Sequence, residues 1–171
     1  MHILFVCTGN ICRSPTAERL AIRYAAENGI RGLTASSAGT HAVIGHRVHE
    51  QAAAVLEEFG ADTAGFAARQ LTAKIARPVD LILTMTRAHR DIVLELVPSK
   101  LNRTFTLAEA SRLVDRHDAS TIAELASLRP QLEADQALDV EDPIGQRSEV
   151  FRMVGTHIAE LLLPVVRLCR P

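Results

Sequence analysis

The chain has 171 residues, of which 47% are hydrophobic, and its 19 basic and 20 acidic side chains leave a formal net charge of −1. That length supports one core and a single domain over residues 1–171. The balanced charge excludes the basic footprint of a nucleic-acid binder, and the apolar content excludes a disordered segment.

The first predicted element is a strand at residues 2–6, where Ile3-Leu4-Phe5-Val6 is apolar without interruption. It runs into Cys7-Thr8-Gly9-Asn10-Ile11-Cys12-Arg13-Ser14-Pro15. Ser14 suits a helix N-cap and Pro15 the first helical position, so a helix is expected over 15–28. Ala17, Leu20, Ala21, Tyr24 and Ala25 lie at helical spacing along it. Further strands are expected at 33–37, 79–84 and 102–106, and further helices at 47–59, 88–97 and 147–163. Val48, Ala52, Val55, Leu56 and Phe59 would share a face of the second helix; Val150, Phe151, Val154, Ile158, Leu161 and Leu162 would share one of the last. Residues 107–138 read as a helical insertion with two short amphipathic stretches, Leu107 to Val114 and Ile122 to Leu132. It would act either as a lid or partner surface at the substrate mouth or as a pair of helices packed on one edge. Alternating strands and helices imply an α/β fold, a doubly wound parallel sheet with ligands at the carboxyl ends of its strands. Cys7 falls at such an end.

The segment from Cys7 to Pro15 carries the chemistry. A helix N-terminus presents unpaired N–H groups and partial positive charge to an anion. Gly9 and Asn10 both tolerate the backbone angles needed to wrap a loop around one. Arg13 adds a planar fork that grips two oxygens. The same positive field would favour a thiolate at Cys7, so one loop both activates a nucleophile and binds the group it attacks. The segment is not a Walker A loop, since Gly-Lys-Ser/Thr is missing, and it is not Cys-x-x-Cys. A thiolate that attacks phosphorus needs an acid for the leaving oxygen. Asp142, ahead of Pro143, is the candidate, because proline keeps the preceding residue out of a helix and so on a loop.

These residues resemble the low-molecular-weight protein tyrosine phosphatase family. The resemblance is carried by Val6 through Glu18, by Ser37-Ala38-Gly39-Thr40, by Ala68-Arg69-Gln70-Leu71, and by Leu81-Ile82-Leu83-Thr84-Met85 with His89-Arg90-Asp91. It closes at Asp142-Pro143 and the helix near Glu149. It implies a four-stranded parallel sheet flanked by helices in three layers. It implies Cys7 as nucleophile, Arg13 as the phosphate-gripping and transition-state arginine, and Asp142 as general acid. Thr8, Gly9, Asn10, Ile11, Cys12 and Ser14 complete the phosphate-binding loop. Within it Asn10 braces the loop, Ser14 steadies the thiolate and Cys12 serves as redox partner of Cys7. The substrate would be a phosphorylated protein. No cofactor or metal, no nucleic acid and no membrane are expected, and the chain is expected to be a monomer or weak dimer.

Several positions depart from the family pattern. The loop after Ser-Ala-Gly-Thr reads His41-Ala42-Val43-Ile44-Gly45, without the usual aromatic residue, and Ile144-Gly145 follows Asp-Pro where tyrosines are common. Phe66 stands where many members have His, and Thr86 where they carry Asp. Ile11 is the choice of tyrosine-type members, whereas the related protein arginine phosphatases carry Thr. The related arsenate reductases need two mid-chain cysteines, and none lies between Arg13 and Leu168. A phosphate-binding or redox-sensing module without turnover is the rival from another class. His41, His46 and His49 lack the companions of a metal site, and His46 and His49 are expected on a solvent-facing helix start. Three cysteines, one required as a free thiol, and no signal-peptide pattern point to the cytoplasm.

Overall fold

The computed structural model describes residues 1–132 and 139–169. Four strands, β1 (His2–Cys7), β2 (Thr34–Gly39), β3 (Leu81–Thr84) and β4 (Thr104–Thr106), form one parallel sheet in the order β2-β1-β3-β4. The helices are α1 (Arg13–Glu27), α2 (Glu50–Glu58), the single turn α3 (Ala73–Ala76), α4 (Arg87–Leu96), α5 (Leu107–His117), α6 (Ile122–Leu128) and α7 (Ser148–Arg167).

The central strand is apolar throughout because it is covered on both faces. Successive side chains point to opposite sides, so Ile3 and Phe5 join Leu81, Leu83 and Phe105 in one core, under α1, α2, α5 and α7. Leu4, Val6, Ala38 and Ile82 join Leu71, Ala76, Val79, Val93 and Val97 in the other, under α3 and α4. Helices, sheet and helices make the three layers expected. The chain leaves β1 for β2 on one side and reaches β3 on the other, so a crevice opens between the carboxyl ends of β1 and β3. Cys7 and Met85 stand at that crevice, tied by Met85 N–H to Val6 O at 2.9 Å.

Local differences have physical causes. The first helix begins at Arg13, two residues before the expected start, and Ser14 does not cap it. The second begins only at Glu50, because His49 stays extended at its N-cap (ψ 137°) and sends its N–H to Ile11 O at 2.7 Å. His49 is therefore a bracing residue, its ring stacked on Phe151 at 4.9 Å, rather than part of a solvent-facing helical start. The last helix continues through Pro164 to Arg167, because Val165 and Val166 beyond the proline are buried. α5 is opened by a capping box between Thr106 and Glu109. It buries Leu107, Ala110 and Leu113 in the same core as α7, so this part of the 107–138 stretch is interior structure. Of that stretch, residues 133–138 lie outside the described residues. Among the described residues no helix is long and apolar enough to cross a membrane.

Candidate active site

Between β1 and α1 the backbone turns its oxygens outward. Cys7 O accepts from Thr40 N–H, Thr8 O from His41 N–H and Gly9 O from Val43 N–H, each at 2.9 Å, and Ile11 O accepts from His49 N–H. The segment 40–49 thus holds the loop by its carbonyls. The backbone N–H groups of residues 8–13 have no acceptor among the described residues. Beside the N-terminus of α1, such unpaired donors are what an anion cradle requires.

One residue makes the loop's sharp turn possible. Asn10 lies in the left-handed region at φ 55°, fully buried. Gly9 does not take a positive φ, and a Cβ there would meet only ordinary contacts with Ile11 and Val43 at 3.5 and 3.6 Å, so the expectation of two permissive positions reduces to Asn10. Its side chain is fully used: Oδ1 accepts from Arg69 N–H at 2.9 Å, and Nδ2 donates to Ser14 Oγ at 2.9 Å and Ser37 Oγ at 2.8 Å. Ser37 passes its hydrogen to Glu18 Oε2 at 2.6 Å. Gly39 completes the support, because a Cβ there would come within 2.4 Å of Thr8 O and 3.0 Å of Asn10 N. The sequence pointed to Asn10 but not to Ser37, Glu18 or Arg69 as its partners. The available signal was weak: Ser37 and Glu18 are each one polar side chain among several in β2 and α1, and Arg69 gives Asn10 only its backbone N–H.

Cys7 Sγ sits 3.0 Å from Ser14 Oγ and is 2% exposed. Ser14 Oγ already accepts from Asn10, so its one hydrogen is free to point at the sulfur. That commitment explains why Ser14 does not cap α1. Cys12 is a second buried free thiol. Burial pushes it up to about 12, with the Cys7 and Asp142 charges adding to the effect and Arg13 opposing it, so it stays protonated at neutral pH.

Arg13, also buried, reaches across to the distant acid loop. Its Nη1 donates to Val140 O at 3.1 Å and its Nη2 to Asp142 Oδ2 at 2.5 Å. That loop is pinned to the end of β3 by Val140 N–H on Met85 O at 2.7 Å, and Asp139 accepts from Arg87 N–H at 2.8 Å. The Asp142 side chain remains 46% exposed. Cys7, Arg13, Asp142 and the loop residues Thr8 to Ser14 therefore gather at one crevice. In the loops that follow Thr40 and Asp142, Val43, Ile44 (70% exposed) and Ile144 are exposed, and the stretch from His41 to Gly45 holds no aromatic ring beyond His41. Phe66 lies under the Arg19 guanidinium at 5.7 Å, behind the Asn10 brace. Among the described residues no group of three His, Cys, Asp or Glu could hold a metal ion.

Residues 2–121 match the family described as low molecular weight phosphotyrosine protein phosphatase. The low molecular weight protein-tyrosine-phosphatase Wzb of Escherichia coli is 43% identical over 97 residues, which are 57% of this chain and 63% of Wzb. This chain thus spans under two thirds of that relative's length. A crystal structure of a low molecular weight protein tyrosine phosphatase from T. tengcongensis is 30% identical, with a TM-score of 0.78 and 97% of each chain covered. The YwlE arginine phosphatase from Geobacillus stearothermophilus is 29% identical, with a TM-score of 0.74, over 96% of this chain and 90% of its own.

Proposed function

The chain belongs to the low molecular weight phosphotyrosine protein phosphatase family, and we propose that it hydrolyses phosphotyrosine in phosphorylated proteins through a cysteinyl-phosphate intermediate. The observation that carries this reading is the loop with its carbonyls tied outward and its N–H groups left for an anion around Cys7, with Arg13 and Asp142 paired beside it.

Cys7 attacks phosphorus as a thiolate steadied by the Ser14 hydroxyl. The P–O bond to the tyrosyl oxygen breaks, and Asp142 gives that oxygen a proton. Arg13 and the N–H groups of the loop, from Thr8 and Gly9 through Ile11 and Cys12, hold the equatorial oxygens where charge spreads in the transition state. Asp142, now a carboxylate, takes a proton from water; the resulting hydroxide attacks the phosphocysteine, the S–P bond breaks, and phosphate leaves. No cofactor enters these steps. Cys12 serves as redox partner: peroxide oxidises Cys7 to a sulfenic acid, and the Cys12 thiol displaces water to form a reversible disulfide. The free thiols fit a reducing cytoplasm.

The test is steady-state turnover, without added metal, of para-nitrophenyl phosphate, a phosphotyrosine peptide and a phosphoarginine peptide by wild type and Cys7→Ser. Cys7-dependent turnover with phosphotyrosine preferred supports the reading. Preference for phosphoarginine, the substrate class of the YwlE relative, overturns the substrate assignment while keeping the chemistry. No turnover under reducing conditions favours a binding or sensing module.

A further inference from the structure

A polar relay leads into the loop from the side opposite the Asn10 brace. His89, on the first turn of α4, is 6% exposed. Its Nδ1 lies 2.9 Å from Thr86 Oγ1 and its Nε2 lies 2.9 Å from Thr8 Oγ1. Thr86 Oγ1 also accepts the His89 main-chain N–H at 3.2 Å, as the N-cap of α4.

Two proton arrangements fit these distances. If Nδ1 carries the hydrogen, Thr8 donates to Nε2 and the hydrogen of half-buried Thr86 has no acceptor among the described residues. If Nε2 carries it, Thr86 donates to Nδ1, Nε2–H donates to Thr8 Oγ1, and the surplus hydrogen falls on exposed Thr8. The second arrangement pairs the less exposed hydroxyl, Thr86, and leaves the surplus hydrogen on the more exposed one, Thr8. Burial holds the imidazole down to about 4, reinforced by Arg13 against the opposing Asp142 and Asp139, so the ring is neutral under ordinary conditions. Thr8 directly follows Cys7 and heads the cradle.

We propose that His89 is a positioning residue which, held by Thr86, makes Thr8 a hydroxyl donor to the oxyanion in the loop. This rests on the phosphatase reading. The donor direction matters because a hydroxyl fixed by a donated N–H must spend its own hydrogen on whatever enters the cradle. Thr86 is a neutral hydroxyl that can donate to Nδ1, and so lets the ring take this tautomer.

Ring ¹⁵N chemical shifts of His89 at neutral pH read the tautomer directly in the wild-type protein. Hydrogen on Nε2 is expected, and hydrogen on Nδ1 overturns the proposal. In kinetics, Thr8→Val and His89→Ala are each expected to lower kcat/KM about tenfold, mainly in kcat, with the double variant no worse than either single one. His89→Gln, whose amide N–H can reach Thr8, is expected to recover most of the loss. Single variants with unchanged kcat/KM, or losses that multiply in the double variant, overturn the proposal. Should wild type turn nothing over, the phosphatase reading fails by itself, and orthovanadate affinity decides the relay: Thr8→Val and His89→Ala binding as tightly as wild type refutes it, and equal weakening in both upholds it.

Discussion

Arg13 and Asp142 stand 129 positions apart in sequence and touch at 2.5 Å, the guanidinium buried and the carboxylate about half exposed. The second arm of the fork holds Val140 O. Arginine thus sets the position of the acid loop as well as presenting charge to the cradle. A lysine at 13 supplies the charge without the fork.

Asp142→Asn is therefore expected to lower kcat on a phosphotyrosine peptide by about 10²- to 10⁴-fold, the usual range for losing a general acid. The loss on para-nitrophenyl phosphate should be smaller, since nitrophenolate departs without a proton. Turnover across phenols of graded acidity checks this. A steeper dependence on leaving-group acidity in the variant is the expected outcome, and parallel lines would remove Asp142 from the acid role.

The bidentate grip of Arg13 makes a second case. Arg13→Lys should cut kcat by about 10²-fold or more, with a smaller change in KM, because charge stabilisation is needed most in the transition state. Steady-state kinetics with thermal melting in parallel separates this from simple unfolding: an equal fall in activity and in folded fraction counts against the role.

How far these features were legible in the sequence depends on whether they are local. The run Ile3–Val6 announces a doubly covered strand, because burial on both faces erases polar alternation. That Asp142 lies on a loop was readable because proline fixes the local backbone. Ser14 was misread as an N-cap because capping preference is local, whereas its hydroxyl is claimed by Asn10 and Cys7 from across the loop. The permissive φ was assigned to Gly9 as well as Asn10, yet only Asn10 uses it. The four-residue α3 is too short to show a helical period. Glu18, Ser37 and the Arg69 backbone come together only when β2 pairs with β1, so no spacing rule could find them.

The Asn10 brace separates backbone conformation from hydrogen bonding. Asn10→Ala loses both the left-handed preference and three hydrogen bonds, two of them buried and one partly so, at a cost of about 2–4 kcal/mol. Asn10→Gly restores the conformation alone. Urea melts should place the glycine variant between alanine and wild type, while both variants lose activity. A fully active glycine variant would mean that the bonds to Ser14 and Ser37 are dispensable.

Two glycines provide a matched comparison. At Gly39 a methyl group would meet backbone, Thr8 O at 2.4 Å and Asn10 N at 3.0 Å, so the loop itself must shift. At Gly155, on α7, it would meet the Val55 side chain at 2.4 Å, far from the cradle, where a rotamer change on α2 gives relief. Both alanine variants should lose stability, on the order of 1–3 kcal/mol. Only Gly39→Ala should also lower the kcat of the folded protein. Equal kcat in the two variants would contradict the tight coupling of β2 to the loop.

Acid should loosen the fold through His89. Its native value of about 4 lies below the ordinary 6.5, chiefly through burial. Between those values the unfolded chain binds a proton that the native ring refuses, so stability falls as pH drops from about 6.5 to about 4 and is insensitive to this group above that window. The effect across the window should be on the order of 2 kcal/mol, allowing for screening of a ring close to the crevice. His2, also lowered by burial and by Arg69, adds a slope of the same sign, so absolute melting curves cannot isolate His89. The difference between wild type and His89→Gln can, because it cancels every other titration that the substitution leaves unchanged. Urea midpoints at pH 7.5, 6, 5 and 4 should converge toward those of the glutamine variant as pH falls. A wild-type advantage that stays constant over the whole range would show that His89 titrates alike in the native and unfolded chain, and one that grows as pH falls would show that the native ring holds its proton, which would remove the neutral tautomer that holds Thr8.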